Sequence, residues 1–189
     1  MRTFIALTLP DPIRNRLALL QGELKKTDAD VKWTAPENIH LTLKFIGETD
    51  EKTLNKVILT GEKFVPEKKS YYARLSTLGV FPKIHSPRIV WIGLSEGNRE
   101  TCDIAQELER RLSDIGIPKE ERSFTSHLTV GRVKSGRNKD NLLHKISEIN
   151  SLENENLRFL VDRITVYKST LTPKGPVYEA IKELRLAAI

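Results

Sequence analysis

Between residues 38 and 46 apolar and polar positions alternate strictly. Ile39, Leu41, Leu43 and Phe45 fall on one side, and His40, Thr42 and Lys44 on the other. Successive strand residues point to opposite faces, so this predicts a strand with one buried face. The same period marks a first strand that ends at Pro10, a short extended segment over 31–34, and strands over 71–81, 88–95 and 127–133. Residues 157–171 read as one long strand or a bent pair, and residues 177–186 as a closing strand. Apolar residues at three- and four-residue spacing predict four amphipathic helices. Ile13, Leu17, Leu20 and Leu24 define 11–27, where Asp11 and Pro12 look like a start. Leu54, Val57 and Ile58 define 51–64. Ile104, Leu108, Leu112 and Ile115 define 99–115, and Leu142, Ile146 and Ile149 define 138–149. The segments 82–87, 116–125 and 172–176 read as a loop, a loop and a turn.

Strands and helices are mixed, and several strands follow one another directly. That order predicts an α+β fold with antiparallel sheets rather than a doubly wound parallel sheet. The chain has 189 residues, 39% hydrophobic and 30% charged, and no long linker or low-complexity stretch. It is expected to form one domain over 1–189. No glycine-rich phosphate loop is present, which argues against ATP and dinucleotide binding. The single cysteine, Cys102, allows neither an internal disulfide nor a cysteine zinc cluster, and a cytoplasmic protein is expected. The apolar run at the start is too short to span a membrane. The net charge of +6 suits an anionic partner, and equally a solvated basic surface.

The informative feature is a repeat. "IHLTLKF" and "SHLTVGR" share His-Leu-Thr-aliphatic, lie about half a chain apart, and are each followed by an amphipathic helix. Two similar lobes, each giving one such strand, are the natural reading. On a strand His40 and Thr42 share a face, as do His127 and Thr129. If the strands face each other across a groove, two imidazoles and two hydroxyls converge. A neutral imidazole takes a proton while a protonated one gives a proton, and the hydroxyls donate to phosphate oxygens. This is the logic of phosphodiester cleavage without a metal. A lone His-x-Thr is ordinarily a solvated surface pair; the second copy changes that reading. A metal site is disfavoured because no Cys, Asp or Glu stands at ligand spacing.

These motifs, with "MRTFIAL", "VKWTAPENIHLTLKFIGET", "RIVWIGL", "FTSHLTVGRV" and "TLTPKGPVYEAI" in order along the chain, resemble the 2H phosphoesterase superfamily. More narrowly, they resemble the RNA 2′,3′-cyclic phosphodiesterase family, also called 2′-5′ RNA ligase. The resemblance implies two similar lobes of antiparallel sheet with flanking helices around a central cleft. It implies opening of an RNA 2′,3′-cyclic phosphate to a 2′-phosphate, with His127 as proton acceptor and His40 as proton donor. Thr42, Thr129 and Arg132 would hold the phosphate, Phe4 is a possible base contact, and no metal or cofactor is implied. The implied partner is RNA with cyclic phosphate ends, including tRNA fragments, met by a monomer with no membrane attachment. Alternatives are ligation of RNA ends through a 2′-5′ bond by the same site, and a non-catalytic RNA-binding module. Strict alternation places Arg132 opposite His127 unless a bulge at Gly131 re-aims it. Lys44 shares the face of His40 and reads as a solvated lysine. Trp33 and Trp91 read as core, His85 as a loop residue and His144 as a helix surface residue.

Overall fold

The computed structural model describes residues 1–151, 157–173 and 175–189. Along the chain the elements are β1 (Arg2–Thr8), α1 (Asp11–Lys25), β2 (Val31–Trp33), β3 (His40–Glu48), α2 (Glu51–Phe64), β4 (Tyr71–Lys83) and β5 (Ser86–Glu96). They continue as α3 (Asn98–Asp114), β6 (Leu128–Val133), α4 (Lys139–Ser151), β7 (Arg158–Val161), β8 (Arg163–Thr172) and β9 (Gly175–Arg185). Two antiparallel sheets result, ordered β3-β1-β8-β9 and β2-β6-β5-β4-β7. The α+β prediction with antiparallel sheets and flanking helices matches this architecture.

Two local expectations resolve here. The segment 157–171 is a bent pair, and its halves lie in different sheets, so the chain changes lobe at Asp162. The Asp162 carbonyl accepts from the Leu186 N–H at 2.8 Å, which closes that crossing. The loop expected at 82–87 shrinks to a turn at Ile84 and His85, because Pro82 and Pro87 face each other across the β4–β5 hairpin. Neither proline has an N–H, so a pairing that needs no donor suits both. The turn expected at 172–176 includes Lys174, which lies outside the described residues.

The two halves repeat one order: strand, helix, His-x-Thr strand, helix. In the first half this is β1, α1, β3, α2, with the short β2 inserted after α1, and in the second β5, α3, β6, α4. The first helix of each half crosses to the other sheet. Gln21 of α1 donates to the carbonyls of Thr34 at 2.7 Å and Val130 of β6 at 2.9 Å. Conversely, α3 packs against β3 and α2. Both helices bury a continuous apolar stripe: Ile13, Leu17, Leu20 and Leu24 on α1, and Ile104, Leu108 and Leu112 on α3. Each fully buried leucine contributes roughly 1.5–3 kcal/mol relative to exposure. Because the helices are exchanged, one hydrophobic cluster runs through the helix-covered faces of both sheets. The opposite faces are left to line a shared cleft.

Candidate active site

His40 opens β3 and His127 immediately precedes β6, and these two strands lie side by side across the lobe boundary. Both imidazoles are half-buried, and both are held the same way. His40 Nδ1 lies 2.8 Å from the Asn38 carbonyl, and His127 Nδ1 lies 2.8 Å from the Thr125 carbonyl. A carbonyl only accepts, so this bond assigns the hydrogen to Nδ1 in each ring. Nε2 is then the atom left to accept or release a proton. The Asn38 side chain is itself anchored, donating to the Pro176 carbonyl at 2.9 Å. On the other side Ser126 donates its hydroxyl to Asn98 at the start of α3.

Thr42 and Thr129 are half-buried and follow their histidines on the same face. Beyond them the alternation breaks in both strands. In the pairing of β1 with β3, Ala6 meets Thr42 and Ile5 meets Lys44, so Leu43 is an extra residue. In the pairing of β5 with β6, Trp91 meets Thr129 and Val90 meets Gly131, so Val130 is extra. An extra residue on one strand shifts every later side chain to the opposite face. The bulge is at Val130 rather than at Gly131, and it returns Arg132 to the face of His127 and Thr129. Arg132 reaches the opposite lobe electrostatically: burial raises the Tyr178 hydroxyl pKa, and the charges of Arg132 and Arg2 pull against that rise.

The same bulge in β3 corrects two expectations. Lys44 does not share the face of His40 and is not solvated. It is only 2% exposed, with Nζ 2.7 Å from the Pro118 carbonyl and 2.8 Å from the Glu109 carboxylate of α3. Phe45, expected on the buried face, lies on the cleft face and is 59% exposed. It pairs directly with Phe4, whose ring centroid is 6.3 Å away.

Aromatic rings build the wall around His40. Phe4 stacks on its imidazole at 4.8 Å, and Tyr178 meets it edge-on at 5.0 Å. Tyr167 stacks on Phe4 at 5.2 Å and is fixed by a 2.6 Å hydrogen bond with Thr8. Phe4 itself is 3% exposed beneath these groups. This enclosure lowers the His40 pKa from its ordinary value, since burial disfavours the charged ring more than the Asn38 carbonyl favours it. Among the described residues His127 has one aromatic neighbour of this kind, Phe81, edge-on at 5.6 Å. Trp91 is not simply core. It pairs with Thr129 on the cleft side, stacks on Phe81 at 4.6 Å, and its ring lies close over Gly79 and Gly93. A Cβ at Gly79 would come within 2.7 Å of the indole.

Sequence reasoning missed Asn38, Tyr167, Tyr178, Phe81 and the position of Phe45. Only Phe45 left a local signal, as the mirror of Arg132 three places after each motif threonine. Among the described residues no three His, Cys, Asp or Glu side chains converge on a metal-sized site. Among the described residues, too, no helix is long and apolar enough to cross a membrane.

Known proteins share this plan. The family model described as LigT like Phosphoesterase matches twice, over residues 7–91 and 92–178, with one His-Leu-Thr in each match. An RNA 2′,3′-cyclic phosphodiesterase of Methanocaldococcus jannaschii is 37% identical over 183 residues, covering 97% of this chain and 99% of that protein. One from Methanothermobacter thermautotrophicus is 35% identical, covering 98% and 99%. Among solved structures, a Thermus thermophilus protein superposes with a TM-score of 0.80 at 24% identity, covering 100% of this chain and 99% of that one. Escherichia coli LigT complexed with 3′-AMP superposes with a TM-score of 0.78 at 22% identity, covering 98% and 97%. With its twofold family match and relatives aligned over nearly its full length, the chain belongs to the LigT-like phosphoesterase family.

Proposed function

We propose that this protein hydrolyses the 2′,3′-cyclic phosphate at an RNA 3′ end to a 2′-phosphate. The observation that carries the reading is the matched pair of half-buried histidines, each with Nδ1 on the carbonyl two residues before it and a threonine two residues after it. Relatives named for this activity, similar over nearly the whole chain, support it. The two lobes act as one unit, each giving one wall.

The chemistry follows from the groups present. Neutral His127 takes a proton through Nε2 from a water that attacks phosphorus. The bond from phosphorus to the 3′ oxygen breaks, and His40 delivers the proton that this oxygen needs. Each transfer is worth roughly 10²–10⁴-fold. Thr42 and Thr129 donate hydrogen bonds to the non-bridging oxygens, and Arg132 meets their charge. These interactions strengthen as negative charge builds in the transition state. The low pKa of His40 in the free protein favours its neutral form. The negative charge of the bound phosphate opposes that and favours the imidazolium a proton donor requires.

The same low pKa favours a second reading with the roles exchanged, since a histidine kept neutral by burial suits a base. One experiment tests both. A short RNA ending in a 2′,3′-cyclic phosphate should yield a 2′-phosphate, unaffected by EDTA. His40→Ala and His127→Ala should each lose about 10²-fold or more, and the double variant should be little slower than either. On an analogue with sulfur in place of the 3′ oxygen, whose thiolate leaves without a proton, the variant lacking the donor should recover. Recovery of His127→Ala in place of His40→Ala would exchange the roles. Near wild-type rates in both single variants would refute the mechanism.

A further inference from the structure

Arg88 opens the segment "RIVWIGL", and the catalytic cleft makes no use of it. It lines a pocket of about 470 Å³ at the end of the second sheet. Residues 85–88, at the β4–β5 turn and the start of β5, form one side of this pocket. Residues 133–136, where β6 ends, form the other, and Lys139 of α4 closes it. Arg88, Lys134 and Lys139 bring three positive charges to the lining, and among the described residues no carboxylate joins them. Arg88 and Lys134 are exposed, and among the described residues neither has a salt-bridge partner within 4.0 Å. Lys139 has Asp140 at 3.8 Å, but that side chain is 91% exposed and points away into solvent. Like charges gathered in this way repel, and an anion relieves them.

The frame around these charges is fixed. Lys139 Nζ donates to the His85 carbonyl at 3.3 Å, which ties the turn to α4. The Lys134 N–H donates to the Asp30 carbonyl at 2.7 Å. The Ser135 hydroxyl oxygen accepts from the Arg137 N–H at 3.3 Å, so its hydrogen is left to donate into the pocket beside Ser86. A guanidinium, ammonium groups and hydroxyls together suit a phosphate. Lys134 stands two positions past Arg132, roughly 7 Å along at ~3.3 Å per residue. The pocket therefore begins where the cleft ends. A cyclic phosphate closes the 3′ end of its strand, so the rest of an RNA can only lead away on the 5′ side.

We propose that this pocket is a phosphate subsite that holds a backbone phosphodiester of the RNA strand, upstream of its cyclic end. This extends the phosphodiesterase reading above and rests on it. The contact is to the backbone, so it fixes the strand without reading bases. It makes a cyclic phosphate on a strand a better substrate than a cyclic mononucleotide.

The test uses cyclic-phosphate oligoribonucleotides of increasing length, from the mononucleotide upward. The wild-type KM should fall at the length that first reaches the pocket. Arg88→Gln should remove about tenfold of that fall, the order of one lost charged hydrogen bond, and leave the mononucleotide KM and kcat unchanged. Arg88→Lys should restore part of it, and Lys134→Gln should act in the same direction as Arg88→Gln. Replacing upstream phosphodiesters one at a time by neutral methylphosphonates should find one linkage that raises the wild-type KM and adds nothing to Arg88→Gln. Inorganic phosphate that competes with strands in wild type, with no linkage mattering, would mean a site for the free anion and overturn the strand contact. A KM independent of length, or an equal loss on mononucleotide and strand in Arg88→Gln, would overturn the subsite while leaving the phosphodiesterase reading intact. A wild-type protein that opens none of these substrates would overturn that reading and the subsite with it.

Discussion

At His40, burial works against the imidazolium, the Asn38 carbonyl works for it, and burial prevails. Two consequences follow at this single residue. A proton titration followed by NMR should give His40 a midpoint below its ordinary 6.5, rising when inorganic phosphate occupies the cleft. Stability should respond as well. Between the folded midpoint and 6.5 the unfolded chain binds more protons than the folded one, so stability rises with pH across that window. Below the folded midpoint the full cost is present; above the ordinary value it has vanished. Urea unfolding of wild type and His40→Gln at pH 7 and at successively lower pH checks this: wild type should lose more on acidification below 6.5. A variant as acid-sensitive as wild type would mean that His40 is not the group responsible. The histidine pair was legible in the sequence because the motif recurs. The depressed pKa was not, because it comes from Phe4, Tyr167 and Tyr178, and the last two stand far away along the chain.

At the scale of elements, the bulges in β3 and β6 decide what each strand offers to the cleft. Lys44 shows the effect. The extra residue at Leu43 turns it to the core side, where it ties β3 to α3 through Glu109 and to the segment leading into His127 through the Pro118 carbonyl. Glu120 lies at the edge of the pair, 4.0 Å from Nζ. Removing one partner of a buried pair leaves an uncompensated charge, at a cost of about 3–5 kcal/mol. Glu109 retains a quarter of its side-chain exposure, so the lower end is expected for Glu109→Ala. Lys44→Met, which keeps the volume and strands no buried cation, should cost less. Denaturant midpoints of the two variants measure the difference, and a Lys44→Met variant worse than Glu109→Ala would contradict it. Alternation alone predicted a solvated Lys44 and a buried Phe45. Both expectations failed for one reason: a bulge is a property of two paired strands, and β3 alone does not reveal where β1 skips a residue.

Across the whole molecule, exchange of α1 and α3 between the lobes joins both sheets to one core and leaves two facing walls free. On the second wall Arg132 pairs directly with Lys32 of β2 and is followed by Lys134, so positive charge runs along the cleft from the site. The overall charge of +6 is consistent with that stripe. Two or three phosphate contacts on a single strand give a log–log salt slope of about −2. The KM of a cyclic-phosphate oligoribonucleotide should accordingly climb steeply with salt, while that of a cyclic mononucleotide climbs less. Equal responses would mean that the stripe does not meet RNA.

The sequence by itself determined the elements, through their helical and strand periods, and the antiparallel α+β class, through their order. It also carried the candidate site, because both His-x-Thr motifs are written out in consecutive residues. The tertiary structure alone decided which neighbours those residues have. It set the bulges that aim Phe45 and Arg132 into the cleft, buried Lys44 against α3, enclosed His40 in aromatic rings and exchanged the helices between lobes. Each of these depends on contacts between segments far apart in the chain. The energy of such a contact is shared by both partners, so neither segment carries it alone.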